Sequence, residues 1–244
     1  MALKIGSGGF DFIDLSRSTE PNTVYANGYP DTALELGNNV VLGGSADDSI
    51  RGGFGHDLII GGQGDDVIFG YGIVNASPTG QLQSGRLDLS DFLSGGAGDD
   101  LIVAGGGDDL VLGGTGNDAL RGDQGNDFIA GGSGDDFLRS GAGSDILVGG
   151  CGSDVFYYNF YPAPGTIPSE NDASGGRDVI LDFHSCTDQI DLSGLGVARD
   201  ELELTDIGTG LLLSFPNSIL NPAARGEIEL RGLHHIGEGD IIFS

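Results

Sequence analysis

From Gly43 to Tyr157 the chain repeats with a period of nine, six turn-like positions followed by three residues centred on a large apolar side chain. The phrase is Gly-Gly-x-Gly-x-Asp-x-apolar-x, as at Gly61–Phe69 and Gly95–Val103, and again from Gly113 and Gly131. Starts fall at 43, 52, 61 and 70, then at 95, 104, 113, 122, 131, 140 and 149, giving eleven repeats. The one slip is an insertion of sixteen residues, because Asp91-Phe92-Leu93-Ser94 completes the repeat that Gly70-Tyr71 opens. Position six is Asp in every repeat, and position eight is always apolar, from Ile50, Ile59 and Ile68 to Leu138, Leu147 and Phe156. A flexible low-complexity linker would not hold two such columns in phase. The glycines permit sharp turns because positive φ costs them no steric penalty. The x-apolar-x triplet predicts a short strand whose central side chain points away from its neighbours' face.

These residues resemble the RTX family of secreted calcium-binding proteins, whose signature is this nonapeptide. The resemblance implies an all-β fold, a right-handed parallel β-roll in which two repeats make one turn and repeats two apart stack along one edge. Calcium would lie between stacked turns, a cation that takes six to eight oxygens, carboxylate and carbonyl alike. The register places Asp48, Asp66, Asp100, Asp118, Asp136 and Asp154 on one edge and Asp57, Asp91, Asp109, Asp127 and Asp145 on the other. Stacked neighbours then give five sites on the first edge and four on the second, up to nine. The turn glycines Gly62, Gly64, Gly96, Gly98, Gly105, Gly107, Gly114, Gly116, Gly132 and Gly134 complete the expected metal-holding set through their backbone. Departures from the phrase at Ala46, Tyr71, Ala104 and Asp123 weaken the repeats that carry them.

The rest of the chain reads as two ends around this roll. Residues 1–42, ending on Asn38-Asn39-Val40-Val41-Leu42, are expected to form an N-terminal cap, since a solenoid needs atypical ends to cover its core. Residues 43–157 are the roll, with the insertion at about 73–90, and residues 158–244 a C-terminal β cap. Gly176–Phe183 and Asp188–Ser193 look like the segment that follows the repeats in serralysin-type proteases, and Ile228–Leu233 and Asp240–Phe243 resemble that family's C-terminal secretion signal. Positions seven and nine point outward. On the first sheet they include Ser49, Arg51, Arg121 and Arg139; on the second, apart from Ser94, they are apolar, among them Leu58, Ile60, Phe92, Leu110, Leu112, Phe128, Ile146 and Val148. A bare face of that kind exceeds what soluble monomers usually carry. The insertion, with Ile73, Val74, Leu82, Leu87 and Leu89, and a second subunit are the two candidate covers.

Charge sharpens the picture. With 37 acidic and 10 basic residues the formal net charge is −27, which disfavours nucleic acid and anionic membrane and attracts cations. Short strands bury too little apolar surface to offset stacked like charges and ordering entropy, so the metal-free chain is expected to be disordered, with calcium supplying the missing free energy. The start Met1-Ala2-Leu3-Lys4-Ile5-Gly6 lacks a signal-peptide core, and no apolar run approaches a membrane span. The resemblance implies export by a type I secretion apparatus that reads an uncleaved C-terminal signal, with folding deferred to calcium outside the cell.

Catalytic chemistry has little to stand on. There is no His-Glu-x-x-His and no Gly-x-Ser-x-Gly, and the four histidines, His56, His184, His234 and His235, lack metal-site spacing. Cys151 and Cys186 are either one disulfide or two thiols, and Asn75-Ala76-Ser77 matches a glycosylation acceptor. Three readings stay open: an exported, non-catalytic calcium-binding protein of the cell surface or extracellular matrix; the C-terminal module of a secreted enzyme of serralysin or mannuronan epimerase type; and a calcium-dependent module for anionic polysaccharide, or a small secreted protein that inserts into membranes. Self-association through the apolar sheet face is a further open partner.

Overall fold

The structure, a computed structural model, describes residues 2–5, 10–26, 37–71, 89–159, 176–216 and 225–243. The chain alternates between two facing sheets, so each turn of the coil contributes one strand to each. Sheet A holds ten strands, β1 (Ala2–Ile5), β3 (Asn22–Tyr25), β5 (Ser49–Arg51), β7 (Val67–Phe69), β9 (Leu101–Gly106), β11 (Ala119–Gln124), β13 (Phe137–Ala142), β15 (Val155–Asn159), β17 (Gln189–Gly194) and β21 (Ile241–Ile242), in that spatial order. Sheet B runs β2 (Phe12–Asp14), β4 (Val40–Leu42), β6 (Leu58–Gln63), β8 (Phe92–Ala97), β10 (Leu110–Thr115), β12 (Phe128–Ser133), β14 (Ile146–Cys151), β16 (Arg177–Ile180) and β20 (Arg225–Arg231), all parallel. It ends on β19 (Gly210–Pro216) and β18 (Glu203–Asp206), which pair antiparallel. This is an all-β parallel β-roll.

The nine-residue period explains the register. Ser49, Ile50 and Arg51 pair with Val67, Ile68 and Phe69, eighteen residues on, so position eight stacks on position eight. Across the insertion the pairing of Leu58 with Phe92 and Ile59 with Leu93 keeps that phase, and Val67 pairs with Leu101 in the same way. Inside the roll lie two apolar rows, Ile50, Ile68, Ile102, Leu120, Leu138 and Phe156 from one sheet and Ile59, Leu93, Val111, Ile129 and Leu147 from the other, each at most 1% exposed. The rows run on past the repeats. Val24 precedes Ile50 and Ile190 follows Phe156; Val41 precedes Ile59 and Ile180 follows Leu147. At the C-terminal end Phe183 packs against Phe156 with ring centroids 6.1 Å apart, and Leu211, Leu213, Phe215 and Ile228 extend the core into the β19–β20 pair.

Outward positions seven and nine of sheet B are half-buried, and Ile60 and Ile146 are exposed. Residues 72–88 of the insertion, with Ile73, Val74, Leu82, Leu87 and the acceptor Asn75, lie outside the described residues, while Leu89 is exposed. Cys151 and Cys186 are free, exposed thiols. The four histidines are exposed; His56 Nδ1 lies 2.7 Å from the Ser90 carbonyl, and His234 pairs with Asp206.

Candidate metal centre

The turns that join the sheets carry the chemistry. The glycines at positions two and four adopt positive φ: 121° at Gly62, 105° at Gly64, 115° at Gly96, 130° at Gly98, 122° at Gly105 and 111° at Gly107. Gly114, Gly116, Gly132 and Gly134 follow suit. At Gly114 a side chain is excluded twice, by φ of 126° and because a Cβ would collide with the Gly96 carbonyl of the preceding turn. Asp123 holds position two with φ of 78°, and its carboxylate pairs with Arg121.

All eleven position-six aspartates point inward and are buried, none more than 5% exposed. On the first edge the Oδ1 of each accepts the backbone N–H of its counterpart one turn back: Asp66 from Asp48 (2.7 Å), Asp100 from Asp66 (2.7 Å), Asp118 from Asp100 (2.8 Å), Asp136 from Asp118 (2.8 Å) and Asp154 from Asp136 (3.0 Å). The second edge does likewise from Asp57 through Asp91, Asp109 and Asp127 to Asp145, at 2.7–2.9 Å. The other oxygen has no such partner. The Oδ2 atoms of Asp57, Asp66, Asp91, Asp100, Asp109, Asp118, Asp127, Asp136, Asp145 and Asp154 are buried without a hydrogen bond. Asp48 differs, since its Oδ2 accepts from the Gly44 N–H at 3.0 Å.

A buried, unpaired carboxylate oxygen is costly unless a cation or proton meets it. Loss of solvation accordingly pushes the Asp127 carboxyl up to about 8, Asp66, Asp100, Asp109 and Asp136 up to about 7, and Asp57 up to about 6. Asp118 and Asp154 are raised for the same reason, opposed by the backbone hydrogen bond each accepts. Main-chain oxygens converge on the same place. Around the Gly61 Cα, a Cβ would meet Asp66 Oδ2 and, at 2.8 Å, the Gly95 carbonyl of the next turn; at Gly113 the corresponding pair is Asp118 Oδ2 and the Gly131 carbonyl at 2.6 Å. Among the described residues no three His, Cys, Asp or Glu side chains gather at one point, so a metal here would rely on main-chain carbonyls as well as carboxylates. That donor set, hard oxygens of both kinds in an irregular cradle, suits calcium.

A second ladder went unseen at the sequence level. Position five is Asp, Asn, Ser or His in every repeat, a regularity that could have revealed it. Asp47 Oδ1 accepts from Asp65 N–H, Asp65 from Asp99, Asp99 from Asn117, Asn117 from Asp135 and Asp135 from Ser153, at 2.7–3.0 Å. This ladder reaches forward where the position-six ladder reaches back, so each turn is tied to the next by two side chains of opposite sense. Residues outside the repeats close the buried ladder. Asn22 and Asn39 donate backbone and amide N–H to Asp48 and Asp57 Oδ1, and Asp178 and Asp188 accept the N–H groups of Asp145 and Asp154.

A parallel roll with two internal rows of half-satisfied aspartates defines a calcium-type repeat protein. Residues 35–71, 87–120 and 121–156 match the model of the RTX calcium-binding nonapeptide repeat, a unit of four copies. RTX nonapeptide repeats bind calcium, and the buried Asp stack of these matched stretches fits calcium sites. Among solved structures the chain is similar to a subunit of the Azotobacter vinelandii mannuronan C5-epimerase, with 27% identity over 70% of this chain and 87% of that one and a TM-score of 0.33. It is also similar to the extracellular lipase LipA of Serratia marcescens, with 15% identity, 93% of this chain and 45% of that one covered, and a TM-score of 0.29. No curated protein sequence matches the chain.

Proposed function

We propose that this chain is an exported, non-catalytic calcium-binding β-roll that folds on calcium outside the cell and serves at the cell surface or in the extracellular matrix. The observation that carries the reading is the double row of ten buried Oδ2 atoms without hydrogen bonds. In it the ligands are the Oδ2 atoms of those ten aspartates together with turn carbonyls, with Asp48 ending its column because Gly44 already satisfies it. Bound calcium supplies positive charge to carboxylates that the chain's own donors leave half-paired. The residues hold the oxygens in place: glycines turn the backbone, position-six Oδ1 atoms fasten each turn to the one before, and the apolar rows fix the spacing. Export by a type I apparatus and a role free of catalysis rest on the family resemblance and on the absence of the zinc-protease and serine-hydrolase motifs.

Asp118 tests the reading. Asp118→Ala leaves the buried Asp100 N–H without its acceptor, a loss of about 1–3 kcal/mol, and removes one ligand, so the calcium midpoint for folding should rise and cooperativity fall. Asp118→Asn can retain the acceptor while removing the charge, so it should weaken calcium binding while sparing the metal-free chain. Exposed Asp200→Ala serves as the control. Equal calcium midpoints for the three variants, measured by circular dichroism, would place the ligands elsewhere.

A second reading, binding of anionic polysaccharide, draws on the outer face of sheet A. There Arg51 stacks on Phe69 at 4.0 Å and Phe137 on Tyr157 at 5.3 Å. Rings and guanidinium groups on a flat sheet suit sugar rings and carboxylates. A glycan array with and without calcium separates the two readings.

A further inference from the structure

The last turn of the first edge is built differently from the turns before it. Inside the roll, in the turn that opens at Gly52 on the second edge, the N–H groups of Gly52 and Gly53 donate to carbonyls of the next turn, Phe69 and Gly70, each at 2.9 Å. The Gly70 oxygen is also the one that faces Asp57 Oδ2 around the Gly52 Cα. Beyond Gly149 no further repeat follows. Its N–H and that of Gly150 donate instead to the two carboxylate oxygens of Asp182, at 3.0 and 2.9 Å. Asp154 Oδ2 borders the same Gly149 Cα and is buried without a hydrogen bond, its side chain 1% exposed. Asp182 thus stands where the Gly52 turn offers neutral carbonyls.

We infer that Asp154 and Asp182 together form the tightest calcium site of the roll, at the junction between the last repeat and the C-terminal segment, and that loading begins there. The inference rests on the calcium reading above. Its physical basis is ligand charge, because affinity for calcium in an oxygen site rises with the number of carboxylates. An internal turn brings one unpaired carboxylate oxygen against a carbonyl dipole; the junction brings a second full negative charge. Leu181 N–H bonds to the Leu147 carbonyl and Gln189 N–H to the Asp154 carbonyl, so the segment carrying Asp182 is anchored on both sides of it. Asp188 adds a third anchor by accepting the Asp154 N–H. Nothing in the nonapeptide phrase marks Asp182, which lies outside the repeats.

The test is a stepwise calcium titration of the full chain against a competing chromophoric chelator, wild type beside Asp182→Asn. The tightest step should weaken about ten-fold or more, with the later steps unchanged and the circular dichroism in saturating calcium preserved. An unchanged first step in the variant overturns the inference and leaves Asp182 as a fastening of the cap alone. A variant that fails to fold is covered by carboxyl footprinting of the wild-type chain at one calcium per chain, where Asp154 and Asp182 should be protected before Asp118; protection of Asp118 first overturns it equally. A wild-type chain that takes up no calcium at all would instead defeat the calcium reading itself.

Discussion

Removing calcium from the protein with a chelator at pH 8 should abolish the β-sheet circular dichroism signal, and millimolar calcium should restore it. Ten carboxylates buried in two rows, each with an Oδ2 that accepts no hydrogen bond, are expected to make the metal-free roll unstable wherever they must be ionised. The burial that creates this penalty also sets its pH dependence. These groups are raised in the folded chain, to about 6 for Asp57, about 7 for Asp66 and about 8 for Asp127, above an unfolded value near about 3.9. Raised groups contribute stability that is fully present below the unfolded value and is lost as pH rises through the folded ones. Acidifying the chelated protein from pH 8 to pH 5 should therefore recover β-structure. In calcium the sign reverses, since binding must displace those protons, and the midpoint should climb as pH falls. Magnesium should substitute poorly because it dehydrates reluctantly and demands tight octahedral geometry. A chelated chain equally folded at pH 5 and pH 8 contradicts this part.

Truncation after Asn159 should leave repeats that stay unfolded in millimolar calcium although all eleven position-six aspartates remain. The cut strips Ile180 from Leu147 and Ile190 from Phe156, and removes Phe183. Exposing two large apolar side chains costs about 3–6 kcal/mol, a large share of the about 5–15 kcal/mol that a whole domain possesses. It also deprives the Asp145 and Asp154 N–H groups of Asp178 and Asp188 as acceptors. Supplying residues 160–244 again in one chain should restore folding. Removal of residues 1–35 should be milder, because among the described residues the fully buried apolar side chains lost there are Val24 and Ala26. Calcium titrations of the two truncations decide it; repeats ending at Asn159 that titrate as the full chain does would reduce the C-terminal segment to a role other than structural.

Much of this architecture is legible in the sequence because period and phase carry it. The two Asp edges, the two apolar rows and the completion of the Gly70 repeat by Asp91–Ser94 all follow from counting by nine, and the pairing of β6 with β8 shows that phase across the insertion. Glycines at positions two and four announce the positive φ they adopt. What counting does not give is direction. Position five looks variable because Asp, Asn and Ser serve one purpose there, accepting an N–H from the following turn, a contact visible only once turns are stacked. The ends are hidden for another reason. Asn22, Asn39, Asp178 and Asp188 sit in ladder register at spacings of 26, 18, 33 and 34 residues from their partners, and only Asn39 keeps the eighteen-residue step. The hairpin of β19 and β20 is likewise set by tertiary packing against β16 and lies outside any repeat.

Whether cations occupy the two rows of aspartates is measured directly by long-wavelength anomalous diffraction from calcium-loaded crystals of the full chain. The expected map shows two lines of calcium peaks between stacked turns, each about 2.3–2.6 Å from carboxylate oxygens of the row, including one between Asp154 and Asp182. A map with ordered repeats and no calcium peak beside Asp66, Asp100, Asp118 or Asp136 would contradict it.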